Sequence, residues 1–249
     1  MKRLFLYIGF TMLLAAATPC FAQSGEFQAP WKDNSTALVL DTFKGNSIDW
    51  SRLTDDPRVA GIIHRATMGF KKDDHYARRK ARAKKLGYKW GSYHLGKPGN
   101  PIKQADFYLR TVRPKKDELL ALDLEEADSK KFMSLDDAQL FIMRIKKKTG
   151  RYPMVYGNYK VIEAISNRYG QDSVFAKTPL WFARFRSDIP EFPKGIWQTY
   201  TLWQFSSEIN CKPTCDCLYL VPGTETDMDV NVYHGSVDEL KRDWPFGKE

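Results

Sequence analysis

The sequence predicts an α/β protein, an irregular TIM-like β/α barrel with helices after the early strands and few after the last three. Three observations support this fold. The chain has 249 residues, close to the usual length of a single α/β barrel. About eight short apolar runs are typical of strands, and helical segments separate the first several of them. In the last third of the chain, loops join these runs instead of helices.

The strand and helix signals of the first half alternate regularly. Gly87 and Gly150 follow helical segments and are typical helix stops. Ser134, with Asp137 three residues later, has the spacing of a helix N-terminal cap. The predicted strands of this half are 37–41, 59–67, 89–96 and 118–125, and the predicted helices are 72–86, 102–112 and 134–148.

The second half contains fewer helices. A single helical segment over 159–169 follows a strand-like run over 152–158. The remaining predicted strands are 180–185, 199–206 and 228–235. Repeated strand–helix units predict a parallel sheet, and about eight of them predict that the sheet closes into a barrel.

The composition excludes several other classes of protein. Hydrophobic residues make up 43% of the chain, which suffices for a sizeable core and excludes a disordered protein. The 13 prolines and 16 glycines are ordinary counts and exclude collagen-like and low-complexity chains. The 14% of aromatic residues suits a packed core, and also a cleft that binds carbohydrate.

The N-terminus is typical of an export signal. Lys2 and Arg3 precede an apolar run over 4–17, and the small residues Cys20 and Ala22 flank a cleavage position. The run is shorter than the roughly 20 residues of a membrane-spanning helix. We therefore expect a secreted or periplasmic protein with no integral membrane segment after signal cleavage. A lipid anchor on Cys20 is the alternative.

These signals divide the chain into three parts. We predict a signal peptide over 1–22, a linker over 23–36 and a single barrel domain over 37–249. No internal repeat suggests a second domain, and we expect a monomer.

The charge balance favours an anionic partner. The formal net charge is +9, and removal of residues 1–22 takes away two cations and no anions, leaving +7. For an exported protein, the cell wall, a membrane surface or a polyanionic glycan fits this charge, and we expect no nucleic-acid partner. The densest basic run, 78–85, contains no aromatic residue that could stack on bases, and a solvated helix face explains it.

A pair of acids at the end of the fourth predicted strand carries the chemistry. Alternation along a strand places Asp123 and Glu125 on one face, with Cα atoms about 6.7 Å apart. Two carboxylates in one pocket repel, so one of them keeps its proton to a higher pH. A protonated acid beside an ionised one is what the cleavage of a glycosidic bond requires. Two solvated acids at a strand end are the simpler interpretation of this short pattern alone.

Two further acids strengthen the catalytic interpretation. Asp41 ends the first predicted strand and Asp229 begins the last, and these strands are neighbours in a closed barrel. Active sites of such barrels lie at the C-terminal ends of the strands. We therefore expect all four acids at one mouth. Other strand-end side chains are candidates for contact with a sugar: Arg65, Tyr93, His94, Tyr156, Trp181, Gln204 and Asn231.

The cysteines and histidines indicate no metal site. Cys211, Cys215 and Cys217 are clustered, and in an oxidising compartment Cys211 is expected to pair with Cys215 or with Cys217. A zinc site would need a fourth ligand, and none stands at a recognisable spacing. The four histidines form no H-x-H or H-E-x-x-H pattern, so we expect no metal and no cofactor.

An ordered set of short motifs, which covers about residues 37–235, resembles glycoside hydrolase family 25, the Chalaropsis-type lysozymes or N-acetylmuramidases. The set comprises Leu40-Asp41, Ile48-Asp49-Trp50, the runs 63–67 and 91–94, Leu122-Asp123-Leu124-Glu125, Tyr156 with Asn158, and the runs 180–183, 202–205 and 229–233. The sequence departs from the family pattern at Thr42-Phe43, at Leu95 and in the CKPTCDC segment. These positions lie around the expected groove, so the differences concern substrate specificity more than the catalytic reaction.

The resemblance implies a function and roles for the acids. It implies an irregular β/α barrel that needs no metal and hydrolyses the β-1,4 bond between N-acetylmuramic acid and N-acetylglucosamine in peptidoglycan. Glu125 would be the general acid, and Asp123 would orient the acetamido group of the substrate. Asp41 and Asp229 would complete the carboxylate cluster. Net retention through acetamido assistance is our hypothesis, and inversion, with Asp41 or Asp229 activating water, is the rival.

Two other functions remain open. A chitinase-like N-acetylglucosaminidase also uses a strand-end acidic motif, but it expects more upstream acids where this chain has Leu119 and Ala121. A barrel that binds glycan without cutting it is the second alternative. Binding alone would not require acids at all four places.

Overall fold

A computed structural model describes residues 27–193, 195–211 and 217–247 of the chain. The predicted signal peptide over 1–22, the first residues of the predicted linker and Cys215 lie outside the described residues. The strands are β1 Thr36–Thr42, β2 Val59–Met68, β3 Lys71–Lys72, β4 Lys89–Leu95, β5 Leu119–Leu124, β6 Met154–Asn158, β7 Leu180–Ala183, β8 Leu202–Ser206 and β9 Asp229–Ser236.

The predicted barrel is confirmed. In the described part of the chain, one sheet has the order β1-β9-β8-β7-β6-β5-β4-β2-β3, and an additional pairing of β1 with β2 closes eight of its strands into a barrel. Six consecutive strand pairs, from β1–β2 to β7–β8, are parallel. The short β3 forms an antiparallel hairpin with the end of β2.

The last strand differs from the all-parallel prediction. β9 pairs antiparallel with both β8 and β1. A parallel connection needs a crossover back to the starting end of the sheet, usually through a helix. Between β8 and β9 the described residues contain a single helix, which comprises only Glu208–Cys211. The chain therefore enters β9 from the end at which β8 finishes.

The helices surround the early strands, as predicted. They are α1 Tyr76–Lys85, α2 Pro101–Val112, α3 Leu135–Thr149, α4 Tyr159–Arg168, α5 Glu208–Cys211 and α6 Val237–Asp243. The Ser134 side chain accepts a hydrogen bond from the backbone N–H of Asp137, and Gly150 ends α3 at a φ of 78°. α1 starts four residues later than predicted because Lys71 and Lys72 pair with β2.

Two apolar layers hold the barrel together. Val39, Ile63, Ala121 and Met154 belong to the cluster inside the barrel. The alternate residues of the same strands, such as Leu38 and Leu122, belong to the layer that packs against the helices. Strand alternation therefore decides which side chains face the barrel interior.

The segment before β1 packs on the outside of the barrel. Residues 23–36 are predicted as a linker, but within their described part Trp31 is buried and stacks on Phe205, with ring centroids 3.7 Å apart. The backbone of Ala29 donates a hydrogen bond to the carbonyl of Ser187. The burial of one large aromatic ring explains why this polar stretch is ordered.

A disulfide links Cys211 and Cys217, one of the two pairings that the sequence left open. Among the described residues, no helix combines the length and the apolar character that crossing a membrane would require.

Candidate active site

Three of the predicted acids lie on the interior face of the barrel at one end. Asp41 is near the end of β1 and Asp123 is near the end of β5. Asp229 is the first residue of β9, and the antiparallel register pairs it directly with Asp41. The reversed direction of β9 thus brings its first residue to the mouth formed by the C-terminal ends of the parallel strands.

Glu125 follows the end of β5, two residues after Asp123, and is half-buried. The Asn158 side chain donates a hydrogen bond of 3.0 Å to the backbone carbonyl of Glu125 and also caps α4. This contact ties the segment that carries Glu125 to the end of β6. Asp123, by contrast, is only 6% exposed and lies deeper in the barrel.

A chain of hydrogen bonds crosses the mouth. The Tyr156 hydroxyl donates to Gln204 Oε1 at 2.8 Å, and Gln204 Nε2 donates to Asp41 Oδ2 at 2.9 Å. The Oδ1 atoms of Asp41 and Asp123 are buried and have no hydrogen-bond partner among the described residues. Buried polar atoms normally have partners. These two oxygens are therefore available to a proton or to a polar group of a ligand.

Burial and mutual repulsion keep protons on this cluster. Burial raises the pKa of Asp41 and of Asp123 well above the usual range, and the neighbouring acids raise both further. Burial raises the pKa of Asp229 to about 7, and the charge of Glu208 adds to this effect. The pKa of Glu125 is also raised by burial, although the charge of Lys97 opposes the shift. The mouth can therefore offer both protonated and ionised carboxyl groups near neutral pH.

Aromatic residues and one amide form the floor beneath the acids. The rings of Tyr93 and Tyr156 both meet Trp181 edge to face, at centroid distances of 6.0 and 4.9 Å. Trp181 Nε1 donates to Asn231 Oδ1 at 2.5 Å, and Asn231 Nδ2 donates to the carbonyl of Val39. Trp181 is 1% exposed and Asn231 0%, so these two residues support the floor and present little surface to a ligand.

Arg65 reaches the mouth from β2. Its guanidinium lies over the Phe43 ring at 4.7 Å and pairs with Asp73 Oδ2 at 3.6 Å. Its charge acts against the upward pKa shifts of Asp41 and Asp123. Sequence reasoning missed Asp73 and Lys97. Asp73 falls inside the predicted helix 72–86, between two lysines and Asp74, so no sequence signal set it apart.

The structure does not bring His94 to the mouth. His94 is 0% exposed and lies on the helix side of β4, where Thr67 Oγ1 and Gln104 Oε1 contact its two ring nitrogens at 2.7 and 3.0 Å. Its ring stacks on Phe141. Successive strand residues face opposite sides, so Tyr93 and His94 cannot both face the interior. Burial lowers the pKa of His94 to about 4, which keeps the ring neutral.

Within the described ranges, no group of three or more His, Cys, Asp or Glu side chains is arranged to hold a metal ion. The arrangement of the mouth itself suits proton transfer, because carboxyl groups of unequal burial lie close enough to influence one another's charge.

Comparison with known proteins identifies the class. The family model described as "Glycosyl hydrolases family 25" matches residues 40–213. The chain belongs to this family and is a glycoside hydrolase. A sequence search of curated proteins found no significant match.

Solved structures share the fold. The chain is similar to a bacterial lysozyme from Streptomyces coelicolor, with 23% identity, a TM-score of 0.65 and coverage of 84% of this chain and 97% of the other. It is also similar to a muramidase from Trichobolus zukalii, with 25% identity, a TM-score of 0.64 and coverage of 82% and 97%. A family GH25 lysozyme from Aspergillus fumigatus has 22% identity, a TM-score of 0.66 and coverage of 83% and 98%.

Proposed function

We propose that this glycoside hydrolase is an exported muramidase that cleaves the β-1,4 bond between N-acetylmuramic acid and N-acetylglucosamine in peptidoglycan. The observation that carries the proposal is the convergence of Asp41, Asp123 and Asp229 on one mouth, with Glu125 at its rim. Membership of the family, and the lysozymes and muramidases among the similar structures, support peptidoglycan as the substrate.

Glu125 is the general acid of the proposed mechanism. It is half-buried and lies nearer to solvent than Asp123, so a glycosidic oxygen in the groove can reach it. Burial raises its pKa, which favours the protonated carboxyl group that can transfer a proton to the leaving oxygen. The proton moves to that oxygen as the bond to the anomeric carbon breaks.

Asp123 orients the acetamido group of the substrate. The acetamido carbonyl oxygen attacks the anomeric carbon and forms a cyclic intermediate, and the unpartnered Oδ1 of Asp123 accepts the acetamido N–H. The ionised Glu125 then takes a proton from water, whose oxygen opens the intermediate on the same face that the leaving group occupied. The product has net retention, as in other substrate-assisted glycosidases.

The test is the release of reducing ends from purified peptidoglycan, with mass spectrometry of the products. We expect reducing muramic acid ends from the wild-type enzyme. Glu125→Gln should lower kcat by about a thousandfold because the amide cannot donate a carboxylic proton. Glu126→Gln changes the exposed neighbouring acid in the same way and should retain activity within about twofold of wild type.

Two outcomes of this test would reject the proposal. Near-normal activity of Glu125→Gln would remove Glu125 from the mechanism. No cleavage by the wild-type enzyme, with binding retained, would indicate a glycan-binding barrel, whereas reducing glucosamine ends would indicate a chitinase-like specificity.

Proton NMR of the first-formed product tests the stereochemistry. We expect the β anomer first, as retention requires. An α anomer would replace this mechanism with inversion, in which Asp41 or Asp229 activates the water.

Export and oligomeric state form part of the proposal. Signal cleavage after Ala22 predicts that the protein outside the cytoplasm begins at Gln23, which N-terminal sequencing would reveal. Size-exclusion chromatography with light scattering should give the mass of a monomer.

A further inference from the structure

A cavity of about 730 Å³ is lined by residues other than those that form the mouth. Its walls come from the start of α1, from the loop that follows β1 and from the loop that precedes β9. The Asn46 side chain joins the two loops by donating to the backbone carbonyl of Asp227 at 2.9 Å. Asp227 is two residues before Asp229, and Asn46 is five residues after Asp41. One wall of the cavity therefore belongs to the loops that leave β1 and enter β9 at the mouth.

Positive charge dominates this cavity. Arg52, Arg78 and Arg82 are exposed residues in its wall. Across the described part of the chain, the guanidinium groups of Arg78 and Arg82 have no hydrogen bond or ion pair. Asp49 and Glu225 are the acids of the wall, and Asp49 already accepts hydrogen bonds from Ser51. The cations therefore exceed the acids that could neutralise them.

Arg79 makes the base of the cavity rigid. Its guanidinium donates to the backbone carbonyls of Phe43 and Asn46, which fixes the loop after β1 against α1. Burial lowers the pKa of Arg79, and the charge of Arg78 lowers it further, although Asp73 acts in the opposite direction. The arginines of α1 thus repel one another across a rigid wall.

The start of α1 adds to the positive potential. The helix has ten residues, no side-chain cap at His75 and no acid in its first turn, and the Asp73 carboxylate accepts the His75 backbone N–H just before it. The Nδ1 atom of His75, also in the cavity wall, is buried and has no hydrogen-bond partner among the described residues.

We infer that this cavity is a subsite for the acidic peptide that the glycan carries, with Arg78 and Arg82 binding its carboxylates. The inference rests on the proposed function, because the peptide of peptidoglycan is attached to the muramic acid next to the cleaved bond. The half-buried Trp50 and Ile48 give the cavity an apolar wall, and Asp49 and Glu225 can accept N–H groups. A peptide offers carboxylates, apolar side chains and N–H groups together, whereas a polyol phosphate offers anions and hydroxyl groups but no apolar side chain.

Kinetics with two forms of one substrate test the subsite. Peptidoglycan is used untreated, and after its carboxylates have been converted to amides with carbodiimide and ammonia. Arg78→Gln with Arg82→Gln should raise KM about tenfold on the untreated form and leave kcat unchanged, because two charge-assisted contacts are lost. On the amidated form, the variant and the wild type should have equal KM values.

Lys103→Gln with Lys147→Gln is the matched control. It removes two charges from exposed positions on α2 and α3, away from the cavity, and should leave both KM values unchanged. Thermal unfolding should show that both double variants fold like the wild type. An equal rise of KM on both substrates, or no rise on either, would overturn the subsite.

Direct binding separates this inference from the proposed function. Calorimetry with the soluble tetrapeptide stem of peptidoglycan should show binding to the wild type, and at least fivefold weaker binding to Arg78→Gln with Arg82→Gln. This result would support the subsite even if the enzyme cut a different bond. Binding of a glycerol phosphate oligomer but not of the peptide would overturn the assignment to a peptide.

Discussion

At the scale of single residues, the acids of the mouth hold protons that free acids would release. Asp229 is the clearest example, because burial raises its pKa from 3.8 to about 7. Between these two values, folded Asp229 keeps a proton that the unfolded chain gives up. Its contribution to stability is therefore fully present below about pH 4 and is lost as the pH rises towards 7.

Asp229→Asn should stabilise the protein in a pH-dependent way. We expect the free energy of unfolding to rise by roughly 2 kcal/mol at pH 8, because the variant no longer buries a charge, and to be nearly unchanged at pH 4. Urea unfolding at the two pH values measures the difference. Asp172→Asn, at an exposed position, should have little effect at either pH. An equal gain at both pH values would exclude the buried charge as the cause.

At the scale of elements, β4 directs two adjacent side chains to opposite faces of the sheet, although both were predicted to lie at the mouth. Tyr93 faces the barrel interior, and His94 faces α2 and α3. His94→Phe should keep the stack on Phe141 but leave Thr67 and Gln104 without their partner. We expect a loss of about 2–3 kcal/mol in the free energy of unfolding at pH 7.

The loss of unfolding free energy caused by His94→Phe should be smaller at acidic pH. The pKa of His94 is about 4 in the folded protein, below its usual 6.5. As the pH falls, the unfolded chain therefore binds a proton at His94 before the folded protein does. The wild type loses stability for this reason between pH 6.5 and pH 4. The difference between variant and wild type should therefore shrink at pH 4.5, as urea unfolding would show. At temperatures where both are folded, kcat/KM should be equal. A large loss of kcat/KM would instead support contact between His94 and the substrate.

The connection between β3 and α1 depends on Asp73. Its carboxylate accepts the backbone N–H groups of Lys44 and His75 at 2.9 and 3.0 Å and pairs with Arg65. Asp73→Ala should lower the free energy of unfolding by about 3 kcal/mol, since the half-buried Arg65 and two backbone donors lose their partner. It should also raise KM, because Arg65 is no longer held. Urea unfolding and steady-state kinetics measure the two effects.

Asp74 provides the control for this prediction. Its side chain is 80% exposed and meets Lys44 only at 3.8 Å. Asp74→Ala should therefore change stability by less than about 0.5 kcal/mol. Equal losses in the two variants would show that the buried contacts of Asp73 do not stabilise the loop.

Alternation and strand ends account for what the sequence could predict at this scale. The placement of Asp123 inside the barrel, and of Leu122 and Leu124 towards the helices, follows from a period of two. The inward or outward choice at Tyr93 and His94 does not follow, because both are compatible with a buried strand end. The role of Asp73 depends on backbone contacts with residues far away in the chain, which no local pattern contains.

At the scale of the whole molecule, one end of the barrel is open and the other is filled. Trp244 and Phe246, which follow α6, belong to the interior cluster, and Trp244 Nε1 donates to the carbonyl of Trp90 at 3.2 Å. The Trp244 ring approaches Gly61, where a Cβ would lie 3.3 Å from it. The residues after the last strand therefore complete the core on the side away from the acids.

Trp244→Ala should destabilise the fold without altering the mouth. We expect a loss of about 3–5 kcal/mol in the free energy of unfolding from the cavity that remains. Below the unfolding transition, kcat/KM should stay within about twofold of wild type. Phe70→Ala, which removes a ring that is 53% exposed, should cost far less. A large loss of kcat/KM in the folded Trp244 variant would contradict the separation of the two ends.

The closure of the barrel could be predicted from the number of strand–helix units, but the direction of β9 could not. Asp229 would lie at the filled end if β9 were parallel to its neighbours, and the expected meeting of four acids depended on a reversal that no residue pattern announced. The short α5 and the loops before β9 permit this reversal. The four acids could be identified from the sequence, but their proximity depends on the topology of the sheet.

The reversal of β9 also decides how the enzyme can be attached to a support. Because this strand runs away from the acids, residues 237–247 emerge at the opposite pole of the molecule. A tether joined behind residue 247 would anchor that pole and leave the groove facing outward, accessible to an insoluble sheet too large to diffuse around the protein. Attachment through the loop before β9 would obstruct the groove instead.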